Sequence, residues 1–341
     1  LVVNDVNLND VNLKVEEKRS INQEHDKRAE VLKIGELSNR KLTLWDYFLS
    51  IRPQFIFTSF VCWLIGVSYA FYKGADAYLN SFLALIVALL FHATVNSLNE
   101  LFDYLRGNDT VEASTDYSGG GGYLVKGIIS PFIMANIAIF LLTLSLILSV
   151  YFVINYPIVI IPGIIGLVCI LFYTSFFKPM GLGEVAMIFG FASTTFGSYI
   201  VSFEPNIVSN YITWDVIFIL LIAGFWKSSV LLINEFPDYE NDKRTNTLNW
   251  VVRFGYKKAS ILFLIENIVI YLSILLAVFL RFFPIYSLFS LLGLIVSITN
   301  FVKSYNYKDL FSHLKPMEYQ VKLGYFLSFT LSISFLLDKL I

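Results

Sequence analysis

The sequence is poor in charged residues, and this shortage limits the class of protein that it can encode. Charged side chains make up 15% of the 341 residues, and hydrophobic residues make up 56%. A typical soluble domain has roughly 25% charged residues. The net charge of -1 provides no basic surface, and no motif supports nucleic-acid binding. The composition is that of a protein that crosses the lipid bilayer many times.

Cysteine is also scarce, and its placement excludes two kinds of site. Cys62 and Cys169 are the two cysteines, and both lie in apolar stretches. Neither a disulfide framework nor a CxxC metal site is available. A metal ion, if the protein uses one, must be held by oxygen ligands.

The first 44 residues differ from the rest of the chain. They are polar and of mixed charge, and they contain the near-duplicate NDVNLNDVNL. No apolar core followed by a small-residue cleavage site is present, so this segment is not a signal peptide. We expect residues 1–44 to be a disordered cytosolic tail and residues 45–341 to be one transmembrane domain.

Nine stretches are long and apolar enough to cross a membrane, which takes about 20 residues as a helix. Proline at 157 and at 284 marks two short turns between them, because proline ends the helix before it. The sequence therefore predicts an all-α polytopic membrane protein with nine transmembrane helices. The predicted spans are roughly 55–72, 81–98, 132–153, 157–175, 184–202, 212–233, 259–280, 284–302 and 322–341.

The lysines and arginines of the loops alternate along the chain. The tail and the loops after the second, fourth, sixth and eighth spans carry most of them, and the other loops carry at most one each. Positive loops face the cytosol. We therefore predict a cytosolic N-terminus, an external C-terminus, and a plasma-membrane location if the organism is prokaryotic.

Two acidic stretches end the second and sixth predicted spans. NELFDYLRGND covers residues 99–109, and NEFPDYENDKR covers residues 234–244. Both begin Asn-Glu-x-x-Asp, and a further aspartate follows, Asp109 or Asp242. They lie four spans apart on the same predicted side, which indicates an internal duplication that builds a site between two halves of the bundle.

The spacing within each stretch places its polar side chains on one helix face. Asn96, Asn99 and Asp103 are three and four residues apart, and Asn234, Asp238 and Asp242 are four residues apart. Carboxylate and amide oxygens suit a hard cation such as Mg²⁺, which completes its shell with water and substrate phosphates. We predict a cytosol-facing site for Mg²⁺ and a phosphorylated substrate.

At these residues the sequence resembles the UbiA superfamily of intramembrane prenyltransferases, from about Arg52 onward. GGGGYLVKGIISP at 119–131 and YTSFFKPMGLGE at 173–184 resemble loops of its 1,4-dihydroxy-2-naphthoate polyprenyltransferase branch. The resemblance implies a nine-helix UbiA fold. It also implies transfer of a polyprenyl group from polyprenyl diphosphate to an aromatic acceptor, most similar to the step in menaquinone biosynthesis.

The resemblance further implies roles for particular residues. The ligands of two Mg²⁺ ions and of the diphosphate would be Asn99, Asp103, Asp109, Asn234, Asp238 and Asp242. Aromatic rings would stabilise the allylic cation by cation–π attraction, worth roughly 0.5–2 kcal/mol each. Tyr173 and Phe91 are candidates for this role.

Several basic and acidic residues have two interpretations. Lys227, inside the sixth span, binds diphosphate or an acceptor carboxylate, or has a structural partner. Arg52, Arg106 and Lys126 hold phosphate oxygens or only set the topology. Glu184 orients the acceptor or caps a helix. His92 is interpreted as a hydrogen-bonded core residue.

Other functions stay open at this stage. A UbiA-type enzyme could use 4-hydroxybenzoate, homogentisate, haem, chlorophyllide or a glycerol phosphate ether as acceptor. Duplicated halves with intramembrane charge also suit a transporter, although the carboxylates cluster at one membrane face. A membrane scaffold would not need both acidic stretches. No protein partner is evident.

Overall fold

The structure is a computed structural model that describes residues 41–108, 122–306 and 314–341, without the side chains of 314 and 315. Within these ranges, nine helical segments are long and apolar enough to cross a membrane. This confirms the predicted count. They are Pro53–Tyr72, Tyr78–Arg106, Pro131–Asn155, Pro157–Phe177, Gly183–Val201, Val216–Arg244, Tyr256–Phe279, Ile285–Tyr305 and Pro316–Leu340.

The α-helices are numbered in chain order. They are α1 (Leu44–Ser50), α2 (Pro53–Ile56), α3 (Thr58–Tyr72), α4 (Tyr78–Arg106), α5 (Pro131–Asn155), α6 (Ile160–Phe172), α7 (Gly183–Val201), α8 (Val216–Arg244), α9 (Trp250–Phe254), α10 (Tyr256–Phe279), α11 (Leu294–Tyr305) and α12 (Leu314–Leu340). Short 3₁₀ segments are Pro157–Val159, Val208–Tyr211 and Ile285–Gly293, and Tyr173–Phe177 is a π-helical turn.

The helix boundaries follow from local sequence. Thr43 begins α1 with a capping box in which Thr43 and Asp46 bond each other's backbone N–H groups. Ser130 accepts a hydrogen bond from the backbone N–H of Ile133 at 3.3 Å, with Pro131 at the first helical position of α5. Helix α5 ends at residue 155, just before Pro157, as the sequence predicts.

Two helices are longer than predicted. The predicted spans 81–98 and 212–233 stop where the acidic stretches begin, whereas α4 and α8 each run 29 residues, to Arg106 and Arg244. Pro237 lies inside α8 without ending it. The acidic residues therefore lie on the last turns of two long helices and not in loops. Helix α12 also begins earlier than the predicted residue 322.

The core of the bundle is built around α7 and α8. Helix α7 packs on α3, α6 and α8, and α8 packs on α10. Small residues allow close approach: a Cβ atom on Gly224 of α8 would lie 2.7 Å from the carbonyl oxygen of Ile188 on α7. This contact holds α8 centrally, so its acidic end reaches the site from the middle of the bundle.

The domain boundary predicted at residue 44 remains a prediction, because residues 1–40 lie outside the described ranges. The described chain starts shortly before α1.

Candidate active site

Helices α4 and α8 end in the same way. Gly107 after α4 and Asn246 after α8 both have a left-handed backbone, with φ of 71° and 55°. In each case the next residue donates its backbone N–H to an aspartate carbonyl: Asn108 to Asp103 at 2.9 Å, and Thr247 to Asp242 at 2.8 Å. This Schellman-type ending repeats in both halves, in agreement with the internal duplication predicted from the sequence.

The two helix ends contact each other directly. The Asn108 side-chain amide donates to Asp103 Oδ1 at 3.1 Å and to Thr247 Oγ1 at 3.3 Å. Asn108 therefore links the end of α4 to the end of α8. The acidic stretches, which are far apart in sequence, converge as predicted.

Both ends line one polar cavity of about 130 Å³. Its wall is formed by the C-terminal halves of α4 and α8, the start of α2, the segment between α6 and α7, and Met187 and Phe191 of α7. The lining residues that carry polar or charged groups are Arg52, His92, Asn96, Asn99, Asp103, Asn108, Tyr173, Lys178, Lys227, Asn234, Glu235, Asp238, Asn241 and Asp242.

Asp103 is the most heavily bonded carboxylate of the cavity. It is 3% exposed, and it accepts hydrogen bonds from Asn99 Nδ2 at 2.9 Å and from Lys178 Nζ at 2.7 Å. Asn99 in turn accepts from Thr174 Oγ1 at 3.2 Å. Asp103 is thus held in place by residues of α4, by Asn108 just after that helix and by the segment between α6 and α7.

Lys178 is a site residue that the sequence does not distinguish from the other basic residues of the loops. Burial alone would lower the pKa of its ammonium group, but the carboxylates of Asp103 and Asp242 outweigh burial and hold that pKa above its ordinary value. Lys178 therefore supplies a fixed positive charge between the two acidic helix ends.

The carboxylates of α8 differ in how they are held. Asp242 is buried and accepts from Asn249 Nδ2 at 2.6 Å, and Asn249 also caps α9 through the backbone N–H of Val252 at 2.8 Å. Asp238 is half-buried and has no hydrogen-bond partner among the residues of the described ranges. It is the carboxylate most available to a ligand.

Two amide oxygens support a cation site. The Oδ1 atoms of Asn108 and Asn234 are buried without a partner in the described part of the chain, and such orphaned acceptors call for an ion or water. No three His, Cys, Asp or Glu side chains group closely enough to hold a metal alone within the described ranges. The oxygen donors fit Mg²⁺, which takes only one or two carboxylates and fills its shell with water and phosphate oxygens.

Arg52 and Asn96 fix the turn that precedes α2. Arg52 lines the cavity with a left-handed backbone, φ 56°, a conformation that is strained for a residue with a side chain. Asn96 donates to the carbonyl oxygens of Ile51 and Arg52 at 3.0 and 3.3 Å. Asn96, predicted to bind substrate, holds this turn in place while also lining the cavity.

Three predicted residues do not line the cavity. Arg106 donates to the carbonyl of Thr174 and, at 3.0 Å, to that of Ser175. Glu184 is fully buried and accepts a hydrogen bond from the Trp250 backbone N–H at 3.3 Å. Lys126 belongs to the segment before α5. The side chains of Arg106 and Glu184 form hydrogen bonds with backbone groups of other segments, and so they stabilise the structure around the cavity.

Asp109 and the glycines at 119–121 lie outside the described residues. The predicted role of Asp109 as a metal and diphosphate ligand remains a prediction.

An apolar cavity of about 310 Å³ adjoins the polar one. The two share His92, Val95, Tyr173, Met187 and Phe191, so these five residues lie where the cavities adjoin. Helices α4, α5, α6 and α7 line the apolar cavity, and Phe91 is part of its wall. Tyr173, proposed from the sequence as a cation-stabilising ring, lies at the junction.

His92 and Phe191 were not predicted as site residues. His92 Nδ1 forms a hydrogen bond with Ser59 Oγ at 2.7 Å. The His92 ring packs edge-on against the Phe191 ring, with 5.3 Å between the ring centres. The prediction of a hydrogen-bonded buried histidine is correct, but the residue also lies on the wall of both cavities. Only the tertiary packing of α3, α4 and α7 reveals this.

Comparison with known proteins agrees with the fold. Residues 56–323 match the UbiA prenyltransferase family. The 1,4-dihydroxy-2-naphthoate octaprenyltransferase of Bacillus subtilis (strain 168) is 27% identical over 215 residues. That match covers 61% of this chain and 65% of the relative's length.

Solved structures show the same fold at low sequence identity. A UbiA homologue from Aeropyrum pernix K1 has a TM-score of 0.62 at 12% identity and covers 82% of this chain and 98% of its own. A structure of digeranylgeranylglyceryl phosphate synthase has a TM-score of 0.60 at 18% identity, with coverage of 86% and 98%. The Archaeoglobus fulgidus UbiA homologue bound to DMAPP and Mg²⁺ has a TM-score of 0.55 at 14% identity, with coverage of 87% and 100%. The chain belongs to the UbiA prenyltransferase family.

Proposed function

We propose that this protein transfers a polyprenyl group from polyprenyl diphosphate to an aromatic acceptor in a Mg²⁺-dependent reaction. One observation carries the proposal. The acidic ends of α4 and α8, joined by the hydrogen bond from Asn108 to Thr247, line a polar cavity that adjoins an apolar one and shares five lining residues with it. A ligand with a strongly anionic head and a long apolar tail matches this pair of cavities.

The metal would be held at the acidic helix ends. The residues that would hold two Mg²⁺ ions and the diphosphate are Asn99, Asp103, Asp109, Asn234, Asp238 and Asp242. The bound metal would neutralise the diphosphate and so make it a better leaving group. The Archaeoglobus fulgidus homologue with bound Mg²⁺ and DMAPP or GPP supports this assignment.

The chain's own residues would then do three things. Lys178, in the segment between α6 and α7, would bind the diphosphate, because its ammonium group already lies 2.7 Å from Asp103. The apolar wall would bury the prenyl chain and exclude water from the reacting carbon. Tyr173 and Phe191, at the junction of the cavities, would present ring faces to the allylic cation.

For the acceptor, we propose 1,4-dihydroxy-2-naphthoate, as in menaquinone biosynthesis. The name of the Bacillus subtilis relative and the segment GLGE at 181–184 support this choice. The alternative acceptors are 4-hydroxybenzoate, homogentisate, haem, chlorophyllide and a glycerol phosphate ether. The basic loops support a cytosolic position for the cavity and the N-terminus.

The test is transfer by the purified protein in lipid nanodiscs. Labelled geranylgeranyl diphosphate is supplied with Mg²⁺ and, in separate reactions, 1,4-dihydroxy-2-naphthoate, 4-hydroxybenzoate or homogentisate. We expect a prenylated product and released diphosphate with the naphthoate, and neither in EDTA. Prenylation of a different acceptor would contradict the choice of acceptor. Absence of any Mg²⁺-dependent transfer would contradict the proposed reaction.

A further inference from the structure

Lys227 is a buried basic residue that the diphosphate site does not explain. It lies near the middle of α8, is 4% exposed and lines the polar cavity. Its ammonium group donates to Thr58 Oγ1 at 2.5 Å, and no carboxylate of the described ranges forms an ion pair with it. A charged amine at such depth is costly without an anion. The cavity therefore offers a site for a negatively charged group at this point.

The position of Lys227 separates it from the acidic helix end. It precedes Asn234 by seven residues, which is about 10 Å along a helix that rises 1.5 Å per residue. The acidic end already has Lys178, which pairs with Asp103 at 2.7 Å. Diphosphate bound at the carboxylates would lie roughly two turns away, so Lys227 is placed for a second anion.

The surroundings of Lys227 are aromatic. Its Nζ atom lies 4.7 Å from the centre of the Phe191 ring, and Phe191 contacts His92 edge-on at 5.3 Å. Ser59 fixes His92 through the bond of 2.7 Å. An aromatic ring entering here would meet ring faces and edges, which is a favourable arrangement. Arg52 lines the same cavity and adds positive charge to it.

We infer that Lys227, Phe191 and His92 form the subsite that binds the aromatic acceptor and that Lys227 pairs with the acceptor's carboxylate. This inference rests on the proposed prenyl transfer and adds the residues that select the acceptor. Phe191 and His92 line the junction of the two cavities. An acceptor ring held there lies next to the place where the reactive end of the prenyl chain emerges from the apolar cavity.

The test is a binding measurement with two probes that differ only in the carboxylate, 1-hydroxy-2-naphthoate and 1-naphthol. Calorimetry on the purified protein in nanodiscs compares wild type, Lys227→Met and the control Lys258→Met, an exposed lysine on α10. We expect wild type and Lys258→Met to bind the hydroxynaphthoate at least tenfold more tightly than naphthol. Lys227→Met should reduce this preference to within twofold. An unchanged preference in Lys227→Met would overturn the inference.

Two further variants keep the test decisive if Lys227→Met folds poorly. Lys227→Arg retains the charge and should keep most of the preference for the carboxylate. Phe191→Leu removes the ring and should weaken both probes about tenfold while leaving their ratio unchanged. Equal affinity of Phe191→Leu and wild type for both probes would contradict the subsite.

Kinetics separate this inference from the proposed function. Lys227→Met should raise the KM for the acceptor at least tenfold and change the KM for prenyl diphosphate less than twofold. A rise confined to the diphosphate KM would assign Lys227 to the diphosphate instead. Lys227-dependent binding of hydroxynaphthoate without any transfer would leave the subsite standing and refute the reaction.

Discussion

At the scale of single residues, the site balances buried negative charge with one loop cation. Asp103 and Asp242 are buried at the ends of two helices, where isolated carboxylates would be costly. Lys178 and the amides of Asn99, Asn108 and Asn249 satisfy them. Asp238 has no such partner in the described ranges, and this difference suggests that Asp103 and Asp242 frame the site while Asp238 meets the ligand.

Replacing Asp103 or Asp238 by Asn should reduce Mg²⁺-dependent prenyl transfer by roughly a hundredfold or more, the size of loss that follows removal of one electrostatic group acting on the transition state. The measurement is the initial rate of product formation at saturating Mg²⁺. Asp338→Asn is the control, because Asp338 is exposed and contacts Tyr72. A rate for Asp238→Asn equal to that of the control would refute the assignment.

At the scale of elements, α7 connects the two cavities to the core. One side of α7 meets α8 at Gly224, and other residues of α7, including Gly197, line the apolar cavity. These two glycines have different surroundings. A Cβ atom on Gly224 would press on backbone, whereas a Cβ atom on Gly197 would meet nothing within 4 Å.

Gly224→Ala should therefore destabilise the protein by about 1–3 kcal/mol, the usual cost of overpacking. Gly197→Ala is the matched control and should be neutral or slightly stabilising, because alanine favours helix over glycine. Thermal unfolding in one detergent compares the two. Equal midpoints for both variants would mean that the α7–α8 contact is not tight.

Gly197→Leu should shorten the prenyl chain that the enzyme accepts. The added side chain would project into open space at the apolar cavity without striking backbone. We expect kcat/KM for a C40 diphosphate to fall at least tenfold relative to dimethylallyl diphosphate. Ala192→Leu, on the same helix but not among the residues lining this cavity, should leave the ratio unchanged. An unchanged ratio in Gly197→Leu would exclude this cavity as the chain site.

The sequence predicts much of this architecture because apolar length and proline position act locally. The nine spans and the turn before Pro157 follow from local composition. The spacing of Asn99, Asp103, Asn234 and Asp238 likewise indicates which residues share a face. The ends of α4 and α8 were predicted too early, because polar residues there are buried in a protein cavity and not in a solvated loop.

What the sequence does not predict depends on distant partners. Lys178 lies in a loop where a positive charge is equally well explained by membrane topology. Only its contact with Asp103 reveals that it belongs to the site. Asn108 follows Gly107, the residue that ends α4, and its hydrogen bond to Thr247 links the two halves of the bundle. Arg106 has the charge of a phosphate ligand, yet its guanidinium group is bonded to the distant backbone carbonyls of Thr174 and Ser175.

At the scale of the whole molecule, a second polar anchor ties the halves together away from the site. Asp215, just before α8, accepts hydrogen bonds from Tyr69 and Thr213 and pairs with Lys73 at 3.0 Å. Burial raises the pKa of Asp215, but these three partners outweigh burial and lower it overall. Stacked tyrosines, including Tyr69 and Tyr199, surround the anchor.

This anchor should make stability depend on acid pH. A carboxylate whose pKa is lower in the folded state stabilises it fully above the unfolded value, about 4, and that contribution is lost as pH falls through the folded pKa. Asp215→Asn should thus unfold at a lower temperature than wild type at pH 7, and the gap should shrink below about pH 4. A gap that stays constant between pH 7 and pH 3 would contradict the anchor.

The coupling between Asp103 and Asp238 in Mg²⁺-dependent binding of geranylgeranyl thiolodiphosphate tests most directly whether the ends of α4 and α8 form one site. Wild type, Asp103→Asn, Asp238→Asn and the double variant are compared by calorimetry. If the two halves hold one ligand together, the double variant should bind little worse than either single variant, because residues that act as a unit are not additive. Losses that multiply independently would mean that α4 and α8 do not form one site.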